Sequence, residues 1–238
     1  MKCVIVAAGQ GTRIRSLAAS KPLAPVKGVP LIEHVVRGAA AGGATGFVVV
    51  TGYQAEGVES FLSGLTARTG IPIETVLNPA WQRPNGVSVL AAAGCLNDDF
   101  LLMMSDHLFD PQIVTRMLAA PRGKGTLILA SDYGIDNSLI DLDDATKVAT
   151  DGGGRILRIG KTLPDYDAID TGIFLAAPTL FTAIGDAIEA GGMGSLSEGV
   201  QRLADEGQAF ALDIGKLWWL DVDDAPAHAL AERSLPDF

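Results

Sequence analysis

The chain has 238 residues, of which 48% are hydrophobic and 19% charged, and its formal net charge is −10 at pH 7. This length and composition support a domain with a buried core and exclude an intrinsically disordered chain. The negative charge argues against a nucleic-acid-binding surface, so an anionic ligand must be bound by a local group of cations. Neither a signal peptide nor an apolar run of about 18 residues is evident, so we expect a cytoplasmic protein without direct membrane contact.

Strands and helices alternate in the first half of the chain. The apolar run at 100–104 is typical of a strand that is buried on both faces of a parallel sheet. The alternation predicts an α/β fold with a doubly wound, mostly parallel, Rossmann-like sheet. The predicted strands are 2–7, 47–51, 71–77, 100–104 and 126–130, and the predicted helices are 30–41, 55–68, 86–96 and one that begins at Pro111.

The pattern changes near residue 132. Short apolar runs and glycine-rich turns over 132–175 predict an antiparallel excursion from the sheet. No linker-like composition marks a second domain, so we assign residues 1–238 to a single domain. After the excursion, the pattern predicts helices at 178–190 and 196–206, a strand at 209–214 and a final helix from about 224.

The first predicted strand leads into a glycine-rich loop. Backbone N–H groups at such a strand end form an anion site, and Arg13 and Lys21 add positive charge to it. The loop is not a P-loop, because no Gly-Lys-Ser/Thr follows, and it lacks the third glycine of the dinucleotide fingerprint. We therefore expect a nucleoside triphosphate here, with the nearby Arg15 in contact with either a phosphate or solvent. The residues expected to cradle the phosphates are Ala7, Ala8, Gly9, Gly11 and Thr12.

Three aspartates are candidates for a Mg²⁺ site. Asp106 follows the buried strand at 100–104, at the edge where open α/β sheets bind ligands. Asp221 and Asp223 lie two residues apart on an extended segment and point the same way, which leaves open which of them completes the site. The alternative interpretations are that Asp106 caps a turn and that the late pair is solvated. Asp224 is expected to be the N-cap of the last helix.

Taken together, these motifs resemble the nucleotidyltransferases that activate sugar and polyol phosphates. The loop pattern Gly-x-Gly-Thr-Arg, the Lys-Pro-Leu at 21–23 and Asp106 match the wider superfamily. The segments Asn-Gly-Val-Ser at 85–88, Ser-Asp-His at 105–107 and Ile-Asp-Thr-Gly-Ile-Phe at 169–174 are most similar to CTP:inositol-1-phosphate cytidylyltransferases. The resemblance, which covers nearly the whole chain, implies transfer of CMP from CTP to inositol 1-phosphate with Mg²⁺, giving CDP-inositol and pyrophosphate.

The resemblance also implies partners and a mechanism. In some relatives the domain is fused to a membrane-embedded synthase that uses CDP-inositol, so we expect a separate synthase to consume the product, and a homodimer is compatible with the sequence. The acceptor phosphate is already an anion, so catalysis needs charge stabilisation rather than a general base. We expect Arg13 to neutralise the β- and γ-phosphates, Lys21 to bridge the α-phosphate and the acceptor, and His107 to have a structural role.

The remaining candidates divide between the base side and the acceptor side. Asn85 and Ser88 either bind cytosine or ribose, or act only as an N-cap and a helix hydroxyl. The base-side candidates are Thr51, Gly52, Tyr53, Asn85, Gly86 and Ser88. The acceptor-side candidates are Lys147 and Lys161 for the phosphate and Asp170 and Thr171 for ring hydroxyls, with Asp141 a weaker choice.

Other functions remain open at the level of sequence. One is a cytidylyltransferase for phosphocholine or a phosphonate, or another sugar-1-phosphate nucleotidyltransferase. Another is a catalytically silent nucleotide-binding regulator, which is disfavoured because Arg13, Lys21, Asp106 and the late aspartates are all present. A third is a glycosyltransferase, whose Asp-x-Asp motif on the central strand is replaced here by Ser-Asp-His.

Overall fold

The structure, a computed structural model, describes residues 1–14, 17–135 and 140–236, so Arg15 lies outside the described residues. The strands are β1 (Lys2–Ala7), β2 (Pro25–Val26), β3 (Val29–Pro30), β4 (Gly46–Thr51), β5 (Ile73–Leu77), β6 (Phe100–Met104), β7 (His107–Phe109), β8 (Leu127–Asp132), β9 (Lys147–Thr150), β10 (Ile156–Gly160), β11 (Ala168–Ala176), β12 (Ala209–Asp213) and β13 (Trp219–Asp221). The α-helices are α1 (Leu31–Ala41), α2 (Ala55–Thr69), α3 (Asn85–Ala91), α4 (Gln112–Ala119), α5 (Thr179–Glu189), α6 (Leu196–Asp205) and α7 (Ala225–Ser234).

A large sheet with β1 near its centre forms the framework of the molecule. β1 pairs in parallel with β4 and β6, so that Cys3 lies opposite Phe47 on one side and Leu101 on the other. The strands follow the order β5-β4-β1-β6-β11-β8-β12, and the β9–β10 hairpin joins the first half of β11. β11 runs antiparallel to β6, β8 and β9, whereas the other pairs of this order are parallel except for β10 with β9. The predicted α/β class with a mostly parallel sheet is therefore confirmed.

Apolar side chains cover both faces of this sheet. Alternate residues of a strand point to opposite faces, so Cys3 and Ile5 of β1 join one cluster while Val4 and Val6 join the other. The first cluster includes buried residues of α1, α2 and α4, and the second includes buried residues of α3, α5 and α6. This two-sided covering explains why the 100–104 run is apolar at every position. In the part of the chain that the structure describes, no helix has the length and apolarity that a membrane crossing requires.

Most element boundaries agree with the sequence pattern to within two residues. The clearest difference is the helix predicted over 86–96, which ends at Ala91 and gives way to a 3₁₀ turn at Ala93–Cys95. Gly94, which has a low helix propensity, lies within this turn. The predicted N-cap of the last helix is confirmed, because the Asp224 carboxylate accepts a hydrogen bond from the N–H of Ala227 at 2.8 Å.

A small antiparallel ribbon positions the candidate metal ligands. β7 follows directly after Asp106, and it pairs with β13 so that Asp221 lies opposite His107. The N–H of Val222 donates to the carbonyl of Asp106 at 3.0 Å and extends this pairing. At the same edge of the sheet, the N–H of Ser105 donates to the carbonyl of Val6. Two carboxylates that are far apart in sequence therefore meet beside the glycine-rich loop.

Candidate active site

A cavity of about 540 Å³ lies at the carboxyl ends of β1 and β6. This is the place where open α/β sheets bind ligands. Its lining brings together residues that the sequence analysis assigned to the phosphates, the base, the metal and the acceptor. Those residues are Gly9, Gly11, Thr12, Arg13, Lys21, Asn85, Ser88, Asp106, Lys161, Asp170, Asp221 and Asp223, together with the weaker candidate Asp141.

The two glycines of the glycine-rich loop have different surroundings. Gly11 has a φ of +58°, and a Cβ at this position would collide with the Cβ of Lys21. Gly9 has no such neighbour, because a Cβ added there would meet no atom within 4 Å in the described structure. Gly9 nevertheless lines the cavity, so the open space beside its backbone is available to a ligand.

Lys21 is the most enclosed cation of the site. Its side chain is only 7% exposed, and its ammonium group contacts the carboxylates of Asp106 and Asp223. Burial alone would lower the pKa of Lys21, but the carboxylates of Asp106, Asp221 and Asp223 outweigh burial and raise this pKa above its ordinary value. Lys21 therefore carries a positive charge at neutral pH and lies ready to meet an anion.

Asp106, His107 and Asp221 form a compact cluster beside Lys21. Nδ1 of His107 lies 2.9 Å from Oδ1 of Asp106 and 3.7 Å from Oδ1 of Asp221. Burial lowers the pKa of His107, but the carboxylates of Asp221 and Asp106 outweigh it and raise this pKa to about 9. The imidazole is therefore a cation near neutral pH and stabilises the two carboxylates, which agrees with the predicted structural role. Gly172 permits this position, because a Cβ there would lie 2.5 Å from Cδ2 of the His107 ring.

The same cluster has the composition of a divalent-cation site. One ligand atom from each of Asp106, His107 and Asp221 lies within 4.8 Å of the others. Oδ1 of Asp221 is buried and has no hydrogen-bond partner among the described residues, and burial raises the pKa of this carboxyl to about 6. His107 lies 3.7 Å from this oxygen, which is too far for a hydrogen bond, so the oxygen still lacks a donor, and direct contact with a cation would be favourable. The carboxylates of Asp106 and Asp221 therefore fit a hard divalent ion, which prefers oxygen ligands.

A chain of ion pairs links this cluster to Lys161, one of the predicted acceptor-side residues. Nη2 of Arg13 lies 2.6 Å from Oδ2 of Asp223 and 2.6 Å from Oδ2 of Asp144. The other oxygen of Asp144 contacts the ammonium group of Lys161. Asp144 was not among the predicted site residues. Asp144 is 131 positions from Arg13 in the sequence, and only the fold brings the two side chains together.

Part of the predicted base side does not line the cavity. Thr51 is fully buried, and its hydroxyl donates to Glu59 at 2.7 Å. The ring of Tyr53 packs edge-on against Trp81 at a centroid distance of 5.3 Å. Gly52 is required there, because a Cβ would lie 2.5 Å from the Cβ of Trp81. Trp81 and Arg83, which sequence reasoning did not assign, line the cavity in place of these residues.

Several candidates have structural contacts that were not predicted. The Asn85 side chain does not cap its own helix, whose N-cap is Pro84, but instead accepts from the N–H of Leu196 at the start of α6. Ser88 accepts from the Asn78 amide at 2.9 Å, although it still lines the cavity. The predicted candidates that the cavity lining does not include are Ala7, Ala8, Thr51, Gly52, Tyr53, Gly86, Lys147 and Thr171.

The acceptor-side candidates divide in the same way. Lys161 and Asp170 line the cavity, and burial raises the pKa of Asp170 to about 6. The ammonium group of Lys147 instead donates to the carbonyl of Lys161 at 2.8 Å. The hydroxyl of Thr171 is fully buried and donates to the carbonyl of Ala130 at 2.8 Å. Lys147 and Thr171 thus support the local structure rather than face the cavity.

Residues 3–140 match the model of a family described as the MobA-like NTP transferase domain. The chain belongs to this family. The match confirms the resemblance to nucleotidyltransferases that the glycine-rich loop and Asp106 suggested.

Individual relatives agree with this assignment. The chain is 37% identical over 232 residues to the "Bifunctional IPC transferase and DIPP synthase" of Rubrobacter xylanophilus, a match that covers 96% of this chain and 50% of that protein. A more distant relative, at 28% identity over 251 residues, is the "CMP-5'-(3-aminopropyl)phosphonate synthase" of Streptomyces rubellomurinus, with 94% of this chain and 37% of that protein covered. The chain thus spans about half the length or less of these relatives.

A solved structure supports the fold. The inositol-1-phosphate CTP transferase from T. maritima superposes with a TM-score of 0.85 at 22% identity, covering 98% of this chain and 95% of that one. The nucleotidyltransferase version of the Rossmann-like fold is therefore established for this chain.

Proposed function

We propose that this protein transfers CMP from CTP to inositol 1-phosphate and releases pyrophosphate and CDP-inositol. The observation that carries the proposal is a single cavity that contains the loop cations, the carboxylates after β6 and β13, and the acceptor-side residues Lys161 and Asp170. The names of the relatives and of the structural neighbour support the choice of CTP and inositol 1-phosphate. A catalytically silent regulator would have no need of this combination of groups.

The reaction forms one phosphorus–oxygen bond and breaks another. An oxygen of the acceptor phosphate attacks the α-phosphorus of CTP, and the bond from that phosphorus to pyrophosphate breaks. Backbone N–H groups of Gly9 to Thr12 bind the triphosphate, and Arg13 neutralises its β- and γ-phosphates. Lys21 stabilises the charge that develops on the α-phosphate and holds the attacking phosphate beside it. No protein group needs to accept a proton, because the acceptor phosphate is already ionised.

The carboxylates now paired with Arg13 and Lys21 also have a role in this scheme. The triphosphate displaces Asp223 from Arg13 and Lys21, because it offers these cations more negative charge than one carboxylate does. Asp106, with Asp221 or Asp223, would hold Mg²⁺. When bound, this ion would neutralise charge on the α-phosphate. His107 keeps Asp106 oriented through the 2.9 Å contact of its Nδ1.

The two ends of the cavity bind the two organic groups. Asn85, Ser88 and Trp81 form the base side, where their polar atoms and the indole ring meet cytosine and ribose. Asp170 accepts hydrogen bonds from ring hydroxyls of inositol, while Lys161 binds the acceptor phosphate. We place this reaction in the cytoplasm, where CTP is available, and assign its product to a membrane-embedded synthase.

The test is pyrophosphate release by the purified protein in the presence of Mg²⁺. Four ribonucleoside triphosphates are crossed with inositol 1-phosphate, phosphocholine, 2-aminoethylphosphonate and several sugar 1-phosphates. Release with CTP and inositol 1-phosphate alone is the expected result. Release with CTP and a phosphonate would instead favour the activity suggested by the name of the Streptomyces relative. Nucleotide binding without any release would overturn the assignment as an enzyme.

A further inference from the structure

The carboxylate of Asp144 contacts two cations that are far apart in the sequence. Oδ2 of Asp144 contacts Nη2 of Arg13 at 2.6 Å, and Oδ1 of Asp144 contacts the ammonium group of Lys161. Arg13 belongs to the glycine-rich loop, whereas Lys161 follows β10 in the antiparallel part of the fold. Because each oxygen takes one cation, Asp144 joins the nucleotide side and the acceptor side of the cavity directly.

This arrangement places two cations close together, and they need a negative charge between them. Arg13 and Lys161 are about half exposed, with side-chain exposures of 51% and 57%. An isolated exposed ion pair contributes only about 0–1 kcal/mol to the free energy of unfolding, so stability alone does not explain either pair. Like charges this close repel each other, and a lysine with four rotatable methylenes would move into solvent without a partner. Asp144 removes the repulsion and limits where Lys161 can go.

The contacts with Asp144 leave both Arg13 and Lys161 with N–H donors that are not used by Asp144. Among the described residues, Arg13 makes its ionic contacts through Nη2, so Nε and Nη1 remain available to a phosphate. Lys161 uses one of its three N–H donors on Asp144. Asp144 can therefore keep both contacts while the two cations bind phosphate groups on their other sides.

We propose that Asp144 is a positioning residue that holds Lys161 near Arg13 and so beside the nucleotide whose β- and γ-phosphates Arg13 binds. It thereby fixes the acceptor phosphate next to the α-phosphate of the nucleotide. This inference rests on the proposed function, because it assumes that Arg13 binds the nucleotide and Lys161 the acceptor. Asp144 touches neither reacting atom and acts only through Lys161 and Arg13.

The test is Asp144→Asn, compared with Asp143→Asn as a matched control. Asp143 is the exposed neighbour, and its carboxylate contacts no cation in the described residues. We expect Asp144→Asn to raise the KM for the acceptor about 10-fold and to lower kcat about 10-fold, because misplacing a binding group weakens the alignment of the two phosphates. The KM for CTP should change less than about threefold, since Lys21 and the loop backbone remain. Thermal unfolding of both variants checks that the fold is kept.

A double-mutant cycle with Lys161→Ala distinguishes positioning from an independent effect. If Asp144 acts through Lys161, adding Lys161→Ala to the Asp144→Asn variant changes the KM for the acceptor less than about threefold further. The proposal would be overturned if the effects of the two single substitutions on KM multiplied in the double variant. It would also be overturned if Asp144→Asn behaved like Asp143→Asn.

Failure of the proposed function is recognised separately. If the wild-type protein uses another nucleotide and acceptor, the same cycle is measured with that pair. If it forms no product at all, calorimetry of inorganic phosphate in the presence of inorganic pyrophosphate replaces the kinetics. Phosphate binding that is about 10-fold weaker in Asp144→Asn supports the proposed positioning role of Asp144. Equal binding in Asp144→Asn and Asp143→Asn contradicts it.

Discussion

The proposed nucleotide side and the proposed acceptor side of the cavity are built in different ways. The nucleotide side rests on short-range features: a strand end, a glycine that must be glycine, and a cation that is 7% exposed beside fixed carboxylates. The acceptor side rests on Lys161, which is 57% exposed, and on Asp144, which only long-range folding brings near Arg13. We infer that the nucleotide side is preorganised by burial, whereas the acceptor side is held mainly by ion pairs, and the following predictions test this difference.

The largest effect is expected at Lys21. Lys21→Ala removes the buried cation and leaves the carboxylates of Asp106 and Asp223 without their shared partner. Turnover should fall at least about 100-fold, because a group that stabilises developing charge is lost. Initial rates of pyrophosphate release measure the effect, with the exposed Lys124→Ala as the control. Near-normal turnover in Lys21→Ala would remove this residue from the mechanism.

The carboxylates of the nucleotide side come next. Asp106→Asn should lower kcat about 30-fold and raise the Mg²⁺ concentration for half-maximal rate, because a neutral amide is a poor ligand for this ion. Between the late aspartates, Asp221→Asn should shift the Mg²⁺ requirement more than Asp223→Asn, since Oδ1 of Asp221 is buried and has no hydrogen-bond partner in the described part of the chain. Mg²⁺ titrations of the three variants provide the comparison. A larger shift in Asp223→Asn would instead assign the ion to that carboxylate.

On the proposed acceptor side, Asp170→Asn should weaken binding of the acceptor while it stabilises the fold. The KM for inositol 1-phosphate should rise about 10-fold while the KM for CTP stays within about twofold, because the proposed function places acceptor hydroxyls, and not CTP, at this side chain. Oδ1 of Asp170 also accepts a hydrogen bond from the N–H of Gly172 at 2.7 Å, which the amide oxygen of Asn can still accept. The exposed Asp165→Asn serves as a control. A parallel rise in both KM values would place Asp170 outside the acceptor site.

The same variant has a predictable effect on stability. Burial raises the pKa of Asp170 in the folded protein to about 6, above the value of about 3.9 for an unfolded chain. Folding therefore favours the protonated form, and this carboxyl lowers the free energy of unfolding as pH rises from about 4 to about 6. Asp170→Asn should raise Tm by about 3 °C at pH 7.5, corresponding to about 1 kcal/mol, and by less at pH 4.5. A gain independent of pH would show that the charge is not its cause.

The same contrast explains what could be predicted from the sequence. The sequence could place Gly11, Lys21 and Asp106 in the site, because two features that position them leave a pattern in the sequence. These features are the local backbone conformation and the end of one strand in a parallel sheet. Asp144 and Trp81 reach the cavity only because loops far apart in sequence pack together. Thr51 and Thr171 look like ligands in sequence, but alternation along a strand points their hydroxyls toward Glu59 and the Ala130 carbonyl instead. Periodicity predicted the sheet, but it could not tell which strand-end residues face the cavity.

The smallest effect is expected at the second lysine of the acceptor side. The ammonium group of Lys147 donates to the carbonyl of Lys161 and lies 5.6 Å from the centre of the Tyr166 ring, so it supports the backbone of its neighbour rather than the phosphate. Lys147→Ala should change the acceptor KM less than about threefold, whereas Lys161→Ala should raise it at least about 10-fold. Steady-state kinetics at saturating CTP compare the two variants. Equal losses would mean that both ammonium groups bind the acceptor, and the acceptor side would then be a cluster of cations rather than a single lysine held by Asp144.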